Sequence, residues 1–286
     1  MKIILIGKGA ILFNIAQLIL NKKKGLDIVK IYWDSNNNSS SDLYYLKNLK
    51  NLKNNIKVQN LKNINLIKNI NILKKKKFDY LLSINNTQIF ENTFLNNFKD
   101  KIINYHYSLI PSYKGLHSCT KVILKQEKIT GISWHYVTSN IDNGKVIFRK
   151  KIKIDTRDNA AQLISKLNNL CLKNFFNFLN NLKKNITLKN SSNIKDFKLK
   201  LKSRKYSKIS LNMNCKKIFS IFKAFSYYPF NSPLPRITIQ LDKIREIKNI
   251  SMSSSSRIHF KRYIKLDKKK FLIRSLDKKY IVVEIY

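Results

Sequence analysis

The sequence predicts an α/β protein whose larger part is a mostly parallel sheet and whose smaller part, further along, is built of short strands. Three observations predict it. A short apolar strand, Lys2–Ile6, passes through the turn Gly7-Lys8-Gly9 into a helically spaced stretch, Ala10–Leu20, and on to a second strand, Ile28–Trp33. Buried-strand patterns recur at Phe78–Ile84 and Ile102–Tyr105. Beyond residue 205 the pattern changes to short alternating segments divided by turns.

Each element follows from its local pattern. The opening β-turn-α-β unit is Rossmann-like, but a dinucleotide fingerprint needs a third glycine for close packing around a pyrophosphate, and Leu12 stands there. Asn36–Ser41 reads as a polar loop. Residues 46–76 are a low-complexity Lys/Asn/Leu/Ile stretch, expected to hold a strand at Ile56–Val58 and then a helix with a solvated lysine face. Leu116–Lys125 is expected to be a helix, with His117 at its start. Gly131–Val137 and Lys145–Ile154 read as two β segments joined by a loop. Asn159–Leu182 is amphipathic, with Ala160, Leu163, Leu167, Leu170, Phe175 and Phe178 on one face.

These patterns divide the chain into a domain over residues 1–182, a polar linker over 183–205 and a smaller domain over 206–286. The smaller part opens with a short helix at 216–225 and a Pro-rich turn, Tyr228 to Pro235. The segments Arg236–Leu241, Ile258–Leu266, Phe271–Ser275 and Tyr280–Ile285 then suggest a small β-barrel or sandwich.

Composition bounds the function classes. With 43% hydrophobic residues over 286 positions the chain can bury a real core. No apolar run reaches the roughly 18 residues a membrane span needs. Met1-Lys2 leads at once into strand, not into a secretory signal, so the expected location is cytoplasmic. Cys119, Cys171 and Cys215 are scattered, which suggests neither a disulfide framework nor a zinc site.

The formal charge is +41, and two accounts of it stand. A strongly basic surface suits nucleic acid or another anionic partner. Yet only eight of the 57 basic residues are Arg, and the chain is crowded with Lys, Asn and Ile, as A- and T-rich codons would make it. Nucleic-acid surfaces lean on the arginine fork.

Two stretches carry chemistry. Asn104 and His106, two apart at the end of a strand, face one side and emerge where open α/β sheets place ligands. Ser108 to Gly115 then forms a loop shaped by Pro111 and Gly115. Bare Asn-x-His also describes an ordinary hydrogen-bonded pair. The second stretch is Thr130 to Val137, leading through Asn140 to Asp142 and Gly144. A carboxylate near a histidine can orient it and hold its charged form. In the pair Trp134-His135 one side chain must point away from any pocket, and Trp134 is expected in the core. His259 reads as a barrel-strand residue.

Together these stretches resemble the folate-dependent formyltransferase superfamily. The matching residues are Asn104, His106, Ser108-Leu109-Ile110-Pro111, Tyr113, Gly115, Gly131-Ile132-Ser133 and Asp142-x-Gly144, with Asp142 lying 36 residues beyond His106. The resemblance covers the first 180 residues. It extends more weakly to Ile218–Leu234, which is similar to the start of the C-terminal domain of many formyltransferases. It implies a Rossmann-like catalytic domain followed by an open, OB-like β-barrel. It also implies 10-formyltetrahydrofolate as co-substrate, no metal, and Asn104, His106 and Asp142 as the catalytic set. Leu81, Leu82, Ser83, Ile84 and Asn85, with Ser108, Leu109, Ile110, Pro111, Val137 and Ile141, would line the folate site.

The implied acceptor is a primary amine. The chain is methionyl-tRNA formyltransferase-like in its free-standing, two-domain, basic character. Its Gly7-x-Gly9 opening and Gly-Ile-Ser-Trp-His segment are closer to peptide-synthetase formylation domains. The expected partner is therefore an aminoacyl group on a carrier protein or on initiator tRNA, with nucleic acid met through the basic surface and no membrane. Alternatives are a sugar-nucleotide N-formyltransferase and, in another class, a non-catalytic basic RNA-binding protein on this fold.

Overall fold

Short apolar strands build the core of the fold, and a polar cluster gathers at the carboxyl end of one of them. The computed structural model describes residues 1–21, 25–52, 56–189, 207–227, 234–253 and 262–286. His259, positions 228–233 of the Pro-rich turn and positions 190–205 of the expected linker lie outside the described residues. The chain forms two compact units. The first comprises Met1–Leu116, Thr130–Ile152 and Ser165–Asp196; the second comprises His117–Ile129, Lys153–Ile164 and Phe197–Tyr286.

The first unit holds a seven-stranded sheet. Its strands are β1 (Lys2–Gly7), β2 (Asp27–Asp34), β3 (Val58–Leu61), β4 (Tyr80–Ile84), β5 (Ile102–His106), β6 (Ile129–Tyr136) and β7 (Val146–Lys153), in the order β3-β2-β1-β4-β5-β6-β7. The pairs from β3 to β5 are parallel, and β6 runs antiparallel to β5. The mostly parallel, Rossmann-like sheet expected from the sequence is thus present. At Gly7 (φ 142) a Cβ would stand 1.7 Å from the Ile84 carbonyl oxygen, so β1 and β4 can pair closely only through glycine there.

Helix α1 spans Gly9–Asn21, α2 Ser40–Lys50, α3 Ile67–Lys74, α4 Asn92–Asn97 and α6 Ala160–Lys183. The polar loop expected over Asn36–Ser41 is present up to Ser39, and helix α2 takes its last two residues. Ser39 Oγ accepts from Asp42 N at 3.1 Å, and an Asp42 carboxylate oxygen accepts from Ser39 N at 2.9 Å. This is a capping box with Asp in place of the usual Glu or Gln, which hides it in the sequence. The strand expected at Ile56–Val58 lies instead at Val58–Leu61, because pairing with β2, Ile31↔Val58 through Asp34↔Leu61, sets its register. The lysine-rich stretch therefore builds one edge of the sheet.

The two faces of the sheet differ in kind. On one, Ile4, Ile6, Leu81 and Ile102 pack with Phe90, Phe94 and Phe98, whose ring centroids lie 5.2 and 4.8 Å apart along the series. On the other, Tyr105 and Trp134 meet α6. Trp134 stacks on Phe178 at 4.2 Å, and the Tyr105 hydroxyl donates to Leu167 O at 3.1 Å. Trp134 is fully buried, as alternation requires.

The second unit holds α5 (Ser118–Leu124), α7 (Cys215–Phe225) and a six-stranded sheet. Its strands are β8 (Lys208–Ile209), β9 (Thr238–Gln240), β10 (Ile244–Met252), β11 (Tyr263–Lys265), β12 (Lys270–Arg274) and β13 (Tyr280–Ile285), ordered β11-β12-β13-β10-β9-β8. It is mainly antiparallel, in keeping with the small barrel-like part expected here. Strand β13 buries Ile281, Val283 and Ile285 in strict alternation. Thr120 joins the two helices through Ala224 O at 3.0 Å and the Tyr227 hydroxyl at 2.8 Å. Among the described residues no helix is long and apolar enough to cross a membrane.

Candidate active site

The polar cluster arises at the carboxyl end of β5 from the period-2 geometry of two adjacent strands. Ile102, Asn104 and His106 share one face of β5, and antiparallel pairing sets Asn104 against His135 and His106 against Ser133 on β6. The intervening residues, Tyr105 and Trp134, point into the α6 side of the core. One register therefore puts an amide and two imidazoles side by side.

Asp142 reaches the same point from the loop after β6. Its Oδ2 lies 3.3 Å from His106 Nδ1, and its Oδ1 lies 3.3 Å from His135 Nε2. Gly115 N donates to Oδ2 at 2.7 Å. Asp142 is itself in the left-handed region, φ 50, where an Asp side chain is tolerated but costs energy. Gly144 makes the loop possible: a Cβ there would stand 1.8 Å from Tyr136 O. Lys114 Nζ donates to Asn143 Oδ1 at 2.7 Å and so ties the two loops at their outer edge.

Electrostatics follow from this geometry. Burial alone would discourage ionisation of Asp142. The charge of His106, the hydrogen bond and charge of His135, and the Gly115 N–H outweigh it and hold the carboxyl well below the usual carboxylate range. Both nitrogens of His106 face acceptors, Asp142 on Nδ1 and Tyr113 O at 3.1 Å on Nε2, which is the environment of a doubly protonated ring. Asn104 is held at both ends: its Oδ1 accepts from Ser83 Oγ at 2.9 Å, and its Nδ2 lies 3.3 Å from His135 Nε2.

The loop after β5 is clamped from β6. Ser133 Oγ donates to Ser108 O at 2.7 Å and accepts from Ile110 N at 3.0 Å, while Ser108 Oγ donates to Ser112 O at 2.7 Å. Leu109 is half-buried, and Ile110 and Pro111 are buried. Within β4, Leu81, Leu82, Ser83 and Ile84 are buried, so that segment offers the site backbone and the Ser83 hydroxyl, not apolar side chains. Asn85 follows with φ 50 and directs its amide to Lys8 O at 3.3 Å. Val137 is half-buried against the core, while Ile141 is 59% exposed beside Asp142. His117 caps the start of α5 with φ 58; burial, aided by Lys121, pushes its ionisation down to about 4, so it is neutral near pH 7.

His135 and Ser133 are absent from the set expected from the sequence. Their signal was the spacing of Ser133-x-His135 against Asn104-x-His106, which only the β5–β6 register makes meaningful.

Comparison with known proteins adds three findings. Residues 1–177 match the model of the family described as formyl transferase. Among curated relatives, the chain is 39% identical over 69 residues to the methionyl-tRNA formyltransferase of Endomicrobium trichonymphae, a match over 24% of this chain and 22% of that one. It is 31% identical over 88 residues to the GDP-perosamine N-formyltransferase of Brucella melitensis biotype 1, over 31% of this chain and 34% of that one. The chain thus matches about a third or less of these two relatives' lengths. In fold it is similar to the crystal structure of WlaRD, a sugar 3N-formyl transferase, in the presence of dTDP and 5-N-formyl-THF. There the TM-score is 0.68 at 22% identity, covering 100% of this chain and 97% of that one.

Proposed function

The chain belongs to the formyl transferase family, and we propose that it moves a formyl group from 10-formyltetrahydrofolate to a primary amine. Asn104, His106 and Asp142 are the reacting set in this proposal. The observation that carries it is the convergence of His106 and Asp142 at 3.3 Å with Asn104 on the same strand face.

The chemistry follows from the groups. A neutral amine attacks the formyl carbon; a C–N bond forms and the carbonyl electron pair moves onto oxygen. Donors aimed at that oxygen are the largest catalytic contribution in acyl transfer. His106 donates through Nε2, exchanging Tyr113 O for the developing oxyanion, while Asp142 keeps the Nδ1 proton in place. Asn104 adds an amide N–H. Collapse then breaks the bond from carbon to N10 of the folate. The amine nitrogen gives up one proton and N10 takes one, with His106 and Asp142 as the relay. The backbone of Leu81–Asn85, the clamped loop Ser108–Pro111, Val137 and the exposed Ile141 would border the folate.

For the acceptor, an aminoacyl amine on tRNA or on a carrier protein is the first choice, supported by the methionyl-tRNA formyltransferase relative. An amino sugar on a nucleotide is the second, favoured by the GDP-perosamine N-formyltransferase relative. The test is an acceptor screen with 10-formyltetrahydrofolate, comparing charged initiator tRNA, carrier-bound aminoacyl groups and amino-sugar nucleotides. Formylation of one of these, followed as tetrahydrofolate release, is the expected result. Steeply salt-dependent RNA binding with no formyl transfer to any amine would replace this proposal with a binding protein on the same fold.

A further inference from the structure

We propose that His135 is a positioning residue that sets which end of the Asn104 amide faces the reacting carbon. The inference deepens the formyl-transfer reading and rests on it for its kinetic consequences, but not for its geometry.

His135 is 1% exposed, and its Nδ1 lies 2.8 Å from Tyr136 O. A backbone carbonyl only accepts, so the proton sits on Nδ1. Nε2 then meets two groups at the same 3.3 Å distance with opposite demands: Asn104 Nδ2, which can only donate, and Asp142 Oδ1, which can only accept. A bare Nε2 takes the amide N–H and leaves the carboxylate to His106 and Gly115. A protonated Nε2 turns to the carboxylate and rejects the amide N–H. The amide must then rotate, offering its oxygen to His135 and its nitrogen to Ser83 Oγ, which accepts as readily as it donates.

The two states differ in what stands beside the His106–Asp142 pair. With Nε2 bare, the nitrogen end of Asn104 lies on that side, and its second N–H is available to an oxyanion also held by His106. With Nε2 protonated, an amide oxygen stands there instead and repels the same oxyanion. The titratable groups beside the ring are Asp142 and His106, whose ring centroid lies 6.4 Å away. The ring state of His135 and the orientation of Asn104 thus form one coupled element.

The test uses the whole chain and two readouts. Long-range 15N NMR of the histidine rings, assigned with H135Q, reads the tautomer without any turnover. A proton on Nδ1 and a bare Nε2 at neutral pH are expected; a bare Nδ1 with a proton on Nε2 overturns the proposal whatever the reaction proves to be. The second readout is single-turnover transfer to the acceptor found in the screen. His135→Leu should lower kcat about 100-fold, as loss of one oxyanion donor does, with folate KM changed by less than about threefold. His135→Gln, whose amide can accept from Asn104 and donate to Asp142 at once, should recover most of that loss. Equal damage by Leu and Gln, with folded protein in both, would refute the positioning role. A wild-type chain inactive with every acceptor would sink the functional reading alone, leaving the NMR result to decide this one.

Discussion

Asp142→Asn is the substitution whose consequence the structure fixes most tightly. The carboxylate accepts from Gly115 N at 2.7 Å and from His106 Nδ1 at 3.3 Å, and its other oxygen faces His135 Nε2 at 3.3 Å. An asparagine keeps the volume and can keep the Gly115 bond through Oδ1. It gives up the negative charge, and it can turn only one oxygen to two imidazoles. Hydrogen bonds to charged groups contribute about 1.5–3 kcal/mol each. Loss of the charge-assisted His106 contact then comes to about 1.5–3 kcal/mol. In the proposed mechanism Asp142 supports the charge of His106 most when the oxyanion forms, so most of this falls on the transition state. The expected fall in kcat is about 10–100-fold, at 1.36 kcal/mol per decade. The assay is single-turnover transfer at saturating amine, with folate affinity measured separately by fluorescence quenching. A fall of less than about threefold with intact folding would refute the role given to the carboxylate. A comparable loss that appears wholly as folate affinity would assign Asp142 to binding instead.

Other consequences follow from the same contacts. His106→Ala removes the donor and should cost several orders of magnitude in kcat with folate affinity largely kept; near-normal turnover would exclude the role. Gly144→Ala puts a methyl 1.8 Å from Tyr136 O, so the loop must shift and Asp142 with it; kcat and Tm should both drop, and full activity at unchanged Tm would mean that the loop adapts. Trp134→Ala opens a hole between Phe175 and Phe178 and should destabilise the chain by about 3–5 kcal/mol in urea melts, where a change under about 1 kcal/mol would contradict the packing. Because Asp142 has a depressed ionisation in the folded state, its stabilising contribution is complete above the ordinary carboxylate value of about 4 and fades as pH falls below it. The Tm difference between wild type and Asp142→Asn should therefore shrink on acidification, and a difference constant from pH 7 to 3 would argue against the charged cluster.

The sequence by itself determined the parallel sheet and three of the clustered residues. Strands β1, β2, β4 and β5 are short apolar runs bounded by Gly, Asn or charged residues, and such runs have few other ways to satisfy both their backbone and their side chains. Asn104, His106 and Asp142 were legible through the resemblance to the formyltransferase superfamily; taken alone, a period-2 pair at a strand end and an acid before a glycine also describe an ordinary hydrogen-bonded pair and an ordinary turn. Helix α2 and strand β10 were not legible, for local reasons of their own. The α2 capping box uses Asp42. In β10 an irregularity between Ile247 and Asn249 sets the buried Ile247 and Ile250 three apart, which breaks the alternation that marks a strand. The sequence reading already set Trp134 in the core; only the tertiary structure decided that His135 joins the cluster. Which face of β6 meets the site depends on its register against β5, and a slip of one residue would exchange the two side chains. Register is fixed by contacts made across 25 or more residues of chain, here Ser133 to Ser108 and Trp134 to Phe178. No local pattern carries that information.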